Sequence, residues 1–314
     1  MHKEVLEVVL EEIRQNQSVK EIVLGGIGEP TMHPDFKSLL PKLGPLEVTL
    51  TSNGTSIDDE MAELLVLHTH KLVVSVDGSQ LIYDRIRGFE YDRLIQNIQI
   101  LNHAKLRLKR NTPQLMIQMV ISEDNKNEVQ AVIKAASEMN ASTLILSNLL
   151  PMTMEDADRI LYTQNDHSAM RDFYKSLRPL ALRHGLELKL TESKLKTERF
   201  CRFIESGALV INSLGEIVPC YRFAHVGEEI VFNRPKKIEK VIYGKVGEKP
   251  LAEIWQSTAY TNFRNMVKGN RYPSCPDCDL VDGCDFVRSA SADCYGNTPS
   301  CADCLWARNI IFCV

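Results

Sequence analysis

The residues best suited to chemistry are cysteines. The chain has 9 of them, all between Cys201 and Cys313, and residues 1–200 hold none. Cys201 and Cys220 frame a C-x13-G-x4-C pattern around Gly215. Then come Cys275-x2-Cys278-x5-Cys284, Cys294, the pair Cys301-x2-Cys304, and Cys313. A C-x2-C step turns two thiolates toward one ion or cluster. Zinc could take Cys275, Cys278, Cys301 and Cys304 as a four-thiolate site. Nine cysteines exceed one such site and suffice for two four-thiolate iron–sulfur clusters with one thiol left over. Structural disulfides fit least well. Residues Met1–Arg14 carry Lys3, Glu4, Glu7, Glu11 and Glu12, too many charges for a secretory signal, so the expected compartment is the reducing cytoplasm.

A second group of residues sits at the ends of short apolar runs. Ile22–Leu24 runs into Gly25-Gly26-Ile27-Gly28-Glu29-Pro30, Val48–Leu50 into Thr51-Ser52-Asn53-Gly54, and Leu72–Val74 into Ser75-Val76-Asp77-Gly78. Glycine lets a backbone approach a ligand and present its N–H and C=O groups. Tight turns alone use the same residue types. Three such ends in succession favour a polar ligand cradle.

These residues need elements to hold them. Leu6, Val9, Leu10 and Ile13 recur at helical spacing, which predicts an amphipathic helix over Met1–Gln15. The runs Ile22–Leu24, Val48–Leu50, Leu72–Val76, Leu115–Ile121, Thr143–Leu146 and Leu186–Leu190 read as buried parallel strands. Helical segments, clearest over Glu128–Met139 and Ala169–His184, fall between them. Strands alternating with helices predict right-handed βαβ units in a parallel α/β sheet or barrel. The carboxyl ends of such strands line the active site, which is where the glycines fall. A hairpin is predicted over Leu209–Pro219, turning at Ser213-Leu214-Gly215. The 314 residues suggest about two domains, placed at 1–190 and 191–314. A net charge of −4 and no apolar run of membrane-spanning length leave nucleic acid and membrane as poor partners.

Gly25-Gly26-Ile27-Gly28-Glu29-Pro30 resembles the GGE motif of radical S-adenosylmethionine (SAM) enzymes, which follows the second strand of a partial (β/α)6 barrel. The resemblance implies that Gly25, Gly26, Gly28 and Glu29 hold the amino end of SAM, and that Asn53, Ser75 and Asp77 reach its ribose and carboxylate. The tail resembles the SPASM domain on Cys201, Gly215, Cys220, Cys275, Cys278 and Cys284, and on Ile254-Trp255 and Phe263-Arg264 before the C-x2-C. It implies auxiliary four-iron clusters, two for this cysteine count, with Cys294, Cys301, Cys304 and Cys313 as further ligands. One departure is Arg288, where the pattern has a cysteine. Another is that no cysteine lies between Cys201 and Cys220, so the first cluster must draw on late cysteines or keep an open iron site.

The end of the chain, Asp293-Cys294-Tyr295-Gly296-Asn297 and Ser300–Arg308, with Leu149-Leu150-Pro151, is similar to the tungsten-cofactor oxidoreductase maturases. This implies 5′-deoxyadenosyl radical chemistry on a tungsten-pterin oxidoreductase or its cofactor, and an electron donor such as ferredoxin or flavodoxin. The alternatives are a peptide-modifying SPASM maturase and a non-catalytic iron–sulfur or zinc module. Sulfatase maturases match less well, because the aspartate that follows their equivalent of Cys220 is Tyr221 here. The superfamily carries the SAM-cleaving cluster on a C-x3-C-x2-C loop after a first barrel strand. Residues 1–200 hold no cysteine, so the expectation is a fragment whose barrel lacks its first strand and whose N-terminal part supplies that cluster, leaving this chain inactive alone.

Overall fold

The computed structural model describes residues 1–165 and 168–312. Six strands, β1 (Glu21–Leu24), β2 (Glu47–Ser52), β3 (Lys71–Ser75), β4 (Gln114–Ile121), β5 (Thr143–Asn148) and β6 (Glu187–Leu190), form one sheet in chain order. Every neighbouring pair is parallel. The expected α/β class and strand positions hold, with ends moved by one or two residues. β5 is buried along its whole length, as a central parallel strand must be, while β1 at the sheet edge alternates between exposed and half-buried. Helices Asp59–His68, Tyr91–Arg107, Val129–Glu138 and Ser168–Arg183 cross between strands and bury one face each, for example Val129, Val132, Ile133 and Ala136.

Contacts divide the described chain into two compact units. One holds the sheet and its helices, Ser18–Asn148 with Ser168–Thr191. The other joins Met1–Gln17, the segment from Leu149, and the cysteine-rich chain from Glu192 onward. The opening helix, Lys3–Gln15, therefore groups with the tail. Its Val9 is buried in the same apolar cluster as Phe223, Ile254 and Phe263, with Val5 and Ile13 packed alongside. The Leu251 N–H also donates to Glu12 Oε2 at 2.9 Å.

The predicted hairpin is β7 (Val210–Ile211) and β8 (Glu216–Val218), joined on its far side by β11 (Gly244–Lys245). Gly215 turns it at φ +79°, and a Cβ there would lie 2.8 Å from Val246 and 2.9 Å from Val5. A second hairpin, β9 (Gly227–Val231) with β10 (Arg234–Ile238), and the helices Leu251–Gln256 and Thr258–Lys268 complete the tail. The second hairpin was not legible in the sequence, because Lys236 and Glu229 interrupt its apolar alternation with charges that turn out to be buried.

Candidate cofactor cradle and metal centre

Parallel pairing brings the ends of β1, β2 and β3 to one edge, with Leu24 beside Leu50, Ser52 beside Val74 and Ser75 beside Gln118. Gly25 is compelled by packing: a Cβ there would sit 2.2 Å from Thr51 Oγ1. Gly26 and Gly28 are compelled by backbone conformation, at φ +116° and +101°, and a Cβ on either would meet nothing within 4 Å. The space in front of these two peptides is thus open, as a ligand lying along the backbone requires.

Glu29 ties this loop together. Its Oε1 accepts from the Thr31 N–H at 3.1 Å, the Thr31 hydroxyl at 2.6 Å and the Ser52 hydroxyl at 2.8 Å. Its Oε2 accepts from the Asn53 N–H at 2.6 Å. Asn53 Oδ1 in turn accepts from the N–H and hydroxyl of Thr55 at 2.9 and 2.7 Å. Asp77 is 4% exposed; it accepts from the Val120 N–H at 2.8 Å and pairs with Arg87 at 2.5 Å. Burial pushes its carboxyl up, and Arg87 pulls back against that. Ser75 stands half-buried at the end of β3. The carboxylates thus tie these strand-end loops together. Ser52, Arg87 and Asn125, whose amide donates to the Asp77 carbonyl at 3.0 Å, complete this scaffold. Sequence reading passed over Arg87 and Asn125, and it named Ser52 only as part of a polar strand end.

In the cysteine-rich unit, Cys201, Cys220, Cys301 and Cys304 line one cavity. Its walls are apolar, with Phe203, Ile204, Phe223, Phe263, Val267 and Trp306, and its one cation is Arg222. Cys201 starts the short helix Arg202–Glu205, and Cys220 leaves the hairpin strand β8. Burial pushes the Cys201 thiol up to about 11 and raises Cys220, Cys301 and Cys304 as well, each thiolate further opposed by its cysteine neighbours or by Glu229. Four thiolates cannot coexist there without compensating cations, which bound metal ions would supply.

Cys275 and Cys284 pack together with Val287 and Ala302, and Cys284 and Cys294 are electrostatic neighbours of Cys275. Cys278 closes the 3-10 turn Cys275–Asp277, its N–H donating to the Cys275 carbonyl at 3.2 Å. Cys278 and Cys294 are exposed. Asp293, beside Cys294, accepts from the N–H groups of Tyr295 and Asn297 at 2.9 and 3.1 Å and so shapes that turn. The structure corrects the four-thiolate grouping of Cys275 and Cys278 with Cys301 and Cys304, since the latter pair faces Cys201 and Cys220. All eight described cysteines are free thiols, and Cys313 lies outside the described residues. Among the described residues no three His, Cys, Asp or Glu side chains converge tightly enough to hold a single ion.

A buried charge network runs through Asp303, which sits between Cys301 and Cys304. Arg222 grips Glu229 through Nε at 2.9 Å and reaches Asp303 Oδ1 at 3.3 Å. Lys236, fully buried, donates to Asp303 Oδ2 at 2.9 Å and to the carbonyls of Phe286 and Val287 at 3.4 and 3.3 Å. The network thereby links the wall of the four-thiol cavity to the loop that carries Cys284. Two cations and two anions balance, as buried charges must.

The Radical SAM superfamily model matches residues 1–136, and the SPASM iron–sulfur cluster-binding domain matches residues 201–279. The chain is 37% identical over 325 residues to the tungsten-containing aldehyde ferredoxin oxidoreductase cofactor-modifying protein of Pyrococcus furiosus, covering 97% of this chain and 86% of that protein. It belongs to the radical SAM superfamily, with a SPASM domain. A shorter match, 31% over 93 residues, is to the S-adenosyl-L-methionine-dependent 2-deoxy-scyllo-inosamine dehydrogenase of Niallia circulans, covering 29% of this chain and 30% of that protein. The solved structure of anSMEcpe with bound AdoMet shares the fold at TM-score 0.63 and 15% identity, over 99% of this chain and 84% of that one. Streptococcus suis SuiB does so at 0.60 and 17%, over 90% and 64%. Radical SAM and SPASM membership brings SAM and iron–sulfur clusters as cofactors. No helix among the described residues is long and apolar enough to cross a membrane.

Proposed function

We propose that this protein is a maturase that works on a tungsten-pterin oxidoreductase or its cofactor. The observation that carries the reading is the 37% identity, across 97% of the chain, to a cofactor-modifying protein of such an oxidoreductase. SAM with a reduced four-iron cluster supplies a 5′-deoxyadenosyl radical when both are bound. The chain's own residues then bind, orient and shield. The open peptides of Gly26 and Gly28, with the Gly25 peptide beside them, receive the polar end of SAM. Glu29 and Asn53 hold the loops in place, Ser75 faces the ligand, and Asp77 with Arg87 keeps the end of β3 fixed.

Cys201, Cys220, Cys301 and Cys304 ligate one auxiliary cluster in this reading. Cys275, Cys278, Cys284 and Cys294 ligate the second, and Cys313 is the remaining thiol. The late pair Cys301 and Cys304 supplies the ligands that the Cys201–Cys220 interval lacks. An electron carrier of ferredoxin or flavodoxin type and a reducing, cytoplasmic setting go with it.

The experiment is anaerobic reconstitution followed by titration with a tungsten-pterin oxidoreductase. About eight irons per chain and a measurable affinity for that enzyme are expected. One zinc with no iron would remove the cluster reading. Full iron without any binding to the oxidoreductase would remove the substrate.

A further inference from the structure

The two cysteine groups share one piece of backbone. In Cys301-Ala302-Asp303-Cys304 the outer residues line the four-thiol cavity, while the middle two are bonded toward the other group. Ala302 packs with Cys275 and Val287, with Cys284 alongside, and its carbonyl accepts from the Cys275 N–H at 3.3 Å. Asp303 Oδ2 accepts from Lys236 Nζ at 2.9 Å. Lys236 also donates to the carbonyls of Phe286 and Val287, at 3.4 and 3.3 Å, in the 3-10 turn that follows Cys284. Asp303 Oδ1 accepts from Arg222 Nη2 at 3.3 Å, and Arg222 is part of the cavity wall. One carboxylate thus holds a cation from each cysteine group.

The backbone repeats the tie. The Ala290 N–H donates to the Lys237 carbonyl of β10 at 2.9 Å, and the Ala290 carbonyl accepts from the Ser300 N–H at 2.8 Å. The Ser300 carbonyl, next to Cys301, accepts from Arg222 Nη1 at 3.3 Å. The side chains of Arg222, Glu229, Lys236 and Asp303 are at most 4% exposed, so water does not stand in for a lost partner. Moving one member alone would leave a buried charge unpaired, which favours movement of the whole network together.

Metal must draw the thiols in, since no three candidate ligands converge tightly enough among the described residues. Closing Cys301 and Cys304 fixes the Ala302–Asp303 peptide, and with it the loop that carries Cys275 and Cys284. The second group then closes with less left to order.

We propose that Asp303 and Lys236 are positioning residues that couple the two cysteine groups, so that a cluster bound at either one raises the affinity of the other. The inference rests on the reading of both groups as cluster sites.

The test loads the full chain anaerobically with limiting iron and sulfide, and counts clusters per chain by native mass spectrometry. Independent sites, whatever their relative strengths, leave half or more of the chains with one cluster when half of all sites are filled. The expected wild-type share is below half, in a preparation that reaches about eight irons per chain at excess iron. Lys236→Met, and Lys236→Met combined with Asp303→Asn, should raise that share to half or more. The double variant keeps Arg222 paired with Glu229 and leaves no buried charge unbalanced, so it tests the tie where the single variant fails to fold. A merely structural role would lower stability and total iron but leave the share at half filling where the wild type has it. A wild-type share of half or more would overturn the proposal, and so would a low share that stays low in the variants. A wild type that takes up no iron would instead overturn the cluster reading beneath it.

Discussion

The cradle and the cysteine-rich unit solve opposite problems. Around Glu29 and Asp77 every carboxylate is already satisfied, by backbone N–H groups, hydroxyls and Arg87, and what remains open is bare peptide at Gly26 and Gly28. Around Cys220 and Cys301 the buried thiols crowd one another. The cradle is finished before its ligand arrives. On the proposed reading the cavity is finished by its ligand, because a cluster bound there would supply the cations that its thiolates need.

The sharpest way to break this comparison is to remove iron. Chelation of the reconstituted protein should open the cysteine-rich unit to protease while the sheet unit, Ser18–Asn148, stays resistant. Cys301→Ala should halve the iron, from about eight to about four per chain, and loosen the same unit. Cys278→Ala should also remove about one cluster's iron, with a smaller loss of protease resistance, since Cys278 is exposed and Cys301 is buried. Equal resistance in both units after chelation would contradict the contrast.

Next in size is the buried charge network. Asp303→Ala leaves Arg222 and Lys236 facing each other without their shared anion, at a cost of about 3–5 kcal/mol. Chemical denaturation of the cysteine-rich unit measures it. A loss below about 1 kcal/mol would mean that water or a bound ion replaces the carboxylate.

Gly26→Val follows. Space does not forbid the valine, but φ +116° does, so the loop must shift at a cost of about 1–3 kcal/mol. SAM affinity, read by calorimetry, should fall by about tenfold or more. Equal affinity in both proteins would make the glycine run a turn and nothing else.

The smallest effect is on pH. The Cys201 thiol is raised to about 11 and Cys275 to about 12, so both carry protons at neutral pH and metal must displace them. Cluster uptake should therefore release protons and strengthen as pH rises from 7 toward 9, whereas a site built from preformed thiolates would release none and show no such rise. Proton release is measured by the dependence of the binding heat on buffer ionisation enthalpy.

Much of this molecule was legible in its residues. Apolar runs of three to seven residues alternating with helical periodicity announced the parallel sheet, and C-x2-C spacing announced metal. Both are local signals, since a strand's burial and a turn's geometry are written within a few residues. The hairpin strands β9 and β10 were hidden because Lys236 and Glu229 look solvated in sequence and are buried in fact.

What the sequence by itself determined is the chemistry on offer: thiolates in the tail, glycine-rich strand ends in the body, and the order of strands that aligns those ends. Only the tertiary structure decided how these are shared out. It set Cys301 and Cys304 facing Cys201 and Cys220, gave Glu29 four donors, and joined Arg222 to Asp303 across 81 positions. Spacing along a chain limits which neighbours can meet. Which distant groups are buried together depends on how whole elements pack, and burial is what makes a thiol, a carboxylate or a hydroxyl need a partner at all.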